Sequence, residues 1–144
     1  MCKGLGFSRS EPEESALRIG WLCALLGRYD INTVSAVISP YRETRARLKL
    51  LVPNFVEVYV KTPLQVCVER DVKGMYPKAM RGEIRQFTGV DAPYEEPLDP
   101  DIVVETDKHD ILACTRHILN QIIEVNQPNR CQSRNILCAN GSER

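Results

Sequence analysis

The stretch from residue 33 to residue 71, TVSAVISPYRETRARLKLLVPNFVEVYVKTPLQVCVERD, decides how the chain is read, because it runs twice through the same cycle. Thr33 to Ile38 (TVSAVI) is short, apolar and β-branched, which predicts a buried strand rather than a helix of so few residues. Ser39-Pro40 ends it. Pro40 stands where a first helical turn tolerates proline, and Tyr41 to Leu51 continues with charged and apolar residues at helical spacing. Pro53-Asn54 breaks that helix, Phe55 to Val60 (FVEVYV) forms a second β-rich run, and Thr62-Pro63 opens the helix-like LQVCVERD.

Working outward, residues 13 to 26 place Ala16, Leu17, Trp21, Ala24 and Leu25 near a helical repeat, with Glu11, Glu13 and Glu14 at the start, where the helix dipole favours them. Gly27 is the expected stop. Towards the other end, Ile102 to Glu105 predicts a third strand, leading through Thr106-Asp107 into an amphipathic helix from about His109 to Val125. Strands alternating with helices predict an α/β fold, a three-layer parallel sheet covered on both faces. One domain over residues 1–126 is expected, followed by a frayed tail over 127–144, where periodicity gives way to polar breakers.

Composition narrows the function classes. The chain has 144 residues, 43% of them hydrophobic, enough for one soluble core without metal or disulfide staples. Nineteen basic residues balance nineteen acidic ones, which argues against a nucleic acid or an anionic membrane as main partner and leaves any anion site to local charge. No apolar run approaches the roughly 18 residues of a membrane span, and MCKGLGFSRSEPEE lacks the marks of a signal or transit peptide, so a cytoplasmic location is expected. The six cysteines show no C-x-x-C and no matching histidine spacing; they are read as reduced thiols, with no metal site.

The segment between the second cycle and the third strand is too polar and too rich in Gly and Pro for a buried strand. Residues 70–85 hold five basic side chains (Arg70, Lys73, Lys78, Arg81, Arg85), whereas residues 91–107 hold seven acidic and no basic ones. That composition suits a lid over phosphates, with Tyr76 and Phe87 available to stack on a base, and equally suits a solvated face. Ser39, between a strand and a helix start, lies where open parallel sheets bind ligands. Its hydroxyl and the following backbone N–H groups suit an anionic oxygen; a plain helix N-cap worth about 1 kcal/mol is the competing reading. Phe7, flanked by Gly6 and Ser8, is a base platform or a core anchor. His109 and His117 sit eight apart without a recognisable carboxylate arrangement. No G-x-S-x-G, His-Glu-x-x-His or G-x-G-x-x-G occurs, which leaves hydrolase, zincin and dinucleotide oxidoreductase readings without support.

Taken together, KGLGFS (Lys3 to Ser8), RIG (Arg18 to Gly20), ISPYR (Ile38 to Arg42), ERDVKGMY (Glu69 to Tyr76), Lys78 to Ile84, FTGVDAPYE (Phe87 to Glu95) and Thr106-Asp107 resemble adenylylsulfate kinase. That family phosphorylates the 3′-hydroxyl of adenosine 5′-phosphosulfate (APS) to give 3′-phosphoadenosine 5′-phosphosulfate (PAPS), and its fold is of P-loop kinase type. The resemblance implies that Phe7 and Phe87 sandwich the adenine, that Ile38, Ser39 and Lys73 contact APS, and that Arg81 belongs to the lid. It also implies that His109 lies beside the ATP base. Ser39 matches the position considered for a phosphoserine intermediate, with direct in-line transfer from ATP the other route.

The departures carry as much information. The family's G-x-x-x-x-G-K-[ST] phosphate loop and the Asp-Gly-Asp segment after it are missing from this sequence, and Pro12 and Ser15 replace an arginine and an asparagine that meet APS. ATP and Mg²⁺ are the implied cofactors, and without the loop this chain is expected to hold them poorly and to show negligible catalysis. The chain is expected to be either a product starting at an internal methionine or a shortened paralogue that pairs with a second copy, a full-length kinase or a sulfurylase.

Overall fold

The computed structural model describes residues 10–125. Helix α1 (Ser10–Gly27) ends at the expected glycine, and α2 (Arg42–Leu51) packs against it. The close approach requires Gly20: a Cβ there would stand 2.3 Å from Cδ2 of Leu48. Ala16 and Leu48 are buried at this contact. Arg47 of α2 meets Glu13 of α1 at 2.6 Å, an exposed pair that orients more than it stabilises.

Strand β1 (Val58–Lys61) pairs in parallel with β2 (Ile102–Glu105), Val58 opposite Ile102 and Lys61 opposite Glu105. The register is fixed at both ends. Glu57 N–H donates to the Asp101 carboxylate at 2.8 Å before the ladder starts, and the hydroxyls of Thr62 and Thr106 meet at 2.6 Å just beyond it. Ile102 and Val104 point into the core while Val103 is exposed, the period of two expected of a strand. Between the strands lie two short helices, α3 (Leu64–Glu69) and α4 (Met75–Met80), and the turns of residues 81–100. Helix α5 (Ile111–Val125) packs on β2, and the Asp110 carboxylate caps it by accepting the Ala113 N–H at 2.7 Å.

The α/β class with a parallel sheet therefore holds, with one correction. Thr33 to Ile38 forms no strand; it is irregular and exposed, Val34 completely so. A strand is stabilised by its neighbours, and among the described residues β1 and β2 pair only with each other. The second strand also sits later than FVEVYV suggests, and the polar excursion contains the α4 turn. No helix among the described residues is long and apolar enough to cross a membrane. Phe7 and the expected tail lie outside the described residues.

Candidate nucleotide site

The segment before α2 carries the first candidate. Ser39 is 8% exposed, its backbone adopts φ +39°, and its buried hydroxyl has no hydrogen-bond partner. It is not the helix cap: Tyr41 holds that position, with no side-chain capping bond. The cap comes from far along the chain, the Glu95 carboxylate accepting the Arg42 N–H at 2.7 Å. An acidic group there also complements the helix dipole. Pro40 has no N–H and that of Arg42 is engaged, so the expected cradle of backbone donors after Ser39 is reduced, and the serine hydroxyl stands out. Ile38, beside it, is 68% exposed.

Arg45 organises this region from within α2. Its Nη1 donates to the Ser39 carbonyl at 2.6 Å, its Nη2 donates to the Glu95 carbonyl, and its Nε lies 2.8 Å from the Glu57 carboxylate. The guanidinium also sits 5.8 Å from the ring centre of Tyr94, which stacks on Tyr59. Burial raises the Tyr94 phenol above its ordinary value; Arg45 opposes this and Glu57 reinforces it. The segment carrying Glu95 is tied back a second time, by the Glu95 N–H donating to the Pro40 carbonyl at 2.8 Å.

Phe87 begins that same segment. Its N–H and that of Gln86 donate to the two carboxylate oxygens of Asp91, and its carbonyl accepts the N–H of Val90, Asp91 and Ala92. The Gln86 N–H holds the Asp91 carboxyl below its ordinary value; partial desolvation opposes this and the Phe87 N–H adds to it. The Phe87 ring meets Tyr76 edge to face, centroids 5.1 Å apart. Tyr76 lies in the first turn of α4, and its N–H donates to Asp71 at 2.8 Å across the turn that contains Lys73. Gly74, at φ +62°, supplies the left-handed backbone which that turn needs.

The structure thus joins Tyr76 to Phe87 beside the turn that carries Lys73, and connects Phe87 to Ser39 through residues 91–95 and Arg45. Arg81 is exposed and ion-paired with Glu83 at 2.6 Å. His109 is exposed in the turn after β2, its N–H donating to the Glu105 carbonyl. Neither has a contact with the Ser39 or Phe87 groups in these networks. Arg45, Asp91 and Glu95 escaped the sequence reading. Arg45 lies three residues before the buried Leu48, so helical phase puts a cation on the apolar face, and that was the available signal.

Among the described residues, no three His, Cys, Asp or Glu side chains gather where they could hold a metal ion.

The family model for adenylylsulphate kinase matches residues 1–105. The chain belongs to the adenylylsulfate kinase family. It is 47% identical over 119 residues to the adenylyl-sulfate kinase of Chloroflexus aurantiacus, covering 83% of this chain and 64% of that protein. With the enzyme of Lactiplantibacillus plantarum it shares 48% identity over 124 residues, 85% of this chain and 60% of the relative. The chain therefore spans less than two thirds of either relative. Its fold resembles the Mycobacterium tuberculosis APS kinase CysC, solved in complex with AMPPNP and APS, with a TM-score of 0.75, 34% identity, and coverage of 83% of this chain and 70% of that one. That likeness agrees with an α/β architecture of P-loop kinase type.

Proposed function

We propose that this chain carries the acceptor half of an adenylylsulfate kinase: it binds APS and its product PAPS in the cytoplasm, and alone transfers phosphoryl groups at a negligible rate. Ser39 offers its hydroxyl to the nucleotide, Ile38 packs beside it, Lys73 supplies a cation, and Phe87 stacks on the adenine, with Phe7 as the second aromatic. Arg81 and His109 belong to the side that faces ATP. The observation that carries the reading is the Ser39 hydroxyl, buried and without a partner on a left-handed backbone. A polar group left so is costly unless a ligand completes it.

Phosphoryl transfer depends on positioning and on neutralising charge over the phosphates. Ser39 and Lys73 meet the acceptor, and no residue set among those described replaces the phosphate loop. Incubating the 144-residue chain with ATP, Mg²⁺ and APS, with direct detection of PAPS, tests the inactivity; robust turnover would overturn it.

The exposure of Trp21, Val34 and Leu50 favours a second reading, a non-catalytic module that pairs with another copy, a full-length kinase or a sulfurylase. Sedimentation of the chain alone and with each candidate separates the two.

A further inference from the structure

We infer that Arg45 is the positioning residue of the nucleotide site, locking the Ser39 loop and the Phe87 segment into one unit without touching the nucleotide itself. The inference rests on the acceptor-site reading above. Arg45 is 8% exposed, and all three of its guanidinium nitrogens are engaged by oxygens from three separate parts of the chain: the Ser39 carbonyl, the Glu95 carbonyl and the Glu57 carboxylate. Two of its five N–H groups donate to carbonyls, Nε lies against a carboxylate, and the side chain is buried, so its commitments are to the chain's own loops. What it does is geometric. Ser39 is fixed through its carbonyl, leaving the hydroxyl unengaged; Glu95 is fixed through its carbonyl, leaving its carboxylate for the Arg42 N–H. Phe87 stands at the other end of the same segment, pinned through Asp91.

The planar fork matters. A lysine offers one compact charge and cannot hold two carbonyls and a carboxylate in fixed directions. Arg45→Lys keeps the charge opposite Glu57 but loses the bridge between the two loops. Because the bridge sets where Ser39 and Phe87 stand relative to each other, its loss falls on affinity through Ser39.

The test combines amide hydrogen exchange with calorimetric titration of APS. In the unsubstituted chain, the amides of Arg42 and Glu95 exchange through one shared opening. In Arg45→Lys, residues 39–42 and 86–95 lose protection together while β1 and β2 keep theirs, and APS binds about ten- to a hundredfold more weakly, as expected for one lost charged bridge. The loss of affinity shrinks when Arg45→Lys is placed in a Ser39→Ala background, whereas a general weakening of the fold would leave it unchanged. Independent exchange of Arg42 and Glu95, or unaltered APS affinity in Arg45→Lys, would overturn the positioning role. Should the substituted chain fail to fold, the exchange of the unsubstituted chain still decides. No APS binding by the unsubstituted chain would instead overturn the acceptor-site reading on which the role rests.

Discussion

Arg45 and Ser39 are joined through the serine backbone: Nη1 donates to the Ser39 carbonyl over 2.6 Å, while the buried hydroxyl of the same serine has no hydrogen-bond partner. In the proposed acceptor site, the backbone of this residue serves architecture and its hydroxyl serves recognition. Ser39→Ala removes a hydroxyl that contributes no bond to the fold, so stability should hold or rise by about 1 kcal/mol, since a buried unpaired polar group is costly. APS affinity should fall about tenfold if that hydroxyl is a ligand contact. Urea denaturation and calorimetry read the two effects separately, and a large loss of stability would contradict this division.

Asp91 makes the Phe87 turn sensitive to acid. Its folded pKa is held below the ordinary value by the Gln86 N–H, with desolvation opposing and the Phe87 N–H assisting. A carboxylate depressed on folding contributes its stabilisation fully above the unfolded pKa and loses it as pH falls through the folded one. The amides of Gln86 and Phe87 should therefore lose exchange protection below about pH 4, near the ordinary aspartate value. Asp91→Asn should show the loosened turn already at neutral pH, and protection that stays level across this range would refute the assignment.

Phe87 is the proposed adenine platform, and stacking of a base on an aromatic ring is worth about 1–3 kcal/mol. Phe87→Leu keeps an apolar side chain against Tyr76 but offers no ring face. APS should bind at least about fivefold more weakly, with little change in the thermal midpoint. Equal affinity in the two proteins would remove Phe87 from the site.

Gly20 sets the spacing of α1 and α2. Alanine in a helix interior gains about 1 kcal/mol over glycine. Here its Cβ would stand 2.3 Å from Cδ2 of the buried Leu48, and overpacking typically costs about 1–3 kcal/mol. The clash should win, so Gly20→Ala lowers stability in urea by about 1 kcal/mol or more. A more stable variant would mean that Leu48 yields easily.

What the sequence made legible follows from how local each signal is. Helix α1 with its glycine stop, α2 and α5 carry their reasons within a few residues, and β2 stands at the Ile102 to Glu105 run. Thr33 to Ile38 has equally strong β character, yet a strand also needs a partner, and nothing in those six letters supplies one. The cap of α2 shows the same limit: the expected donor set at Ser39 is displaced by Glu95, which reaches Arg42 across 53 residues. Ser39, Lys73 and Phe87, the proposed nucleotide contacts, are singled out by residue type and motif alone. Arg45 and Asp91, which hold the loops in place, act on backbone atoms and leave a weaker trace in the sequence.

Calorimetric titration of APS into the 144-residue chain, run beside Ser39→Ala, tests the central claim most directly. Saturable binding of one nucleotide per chain, weakened by the substitution, is the expected result. No detectable heat from a folded chain, or binding indifferent to Ser39, would contradict the account.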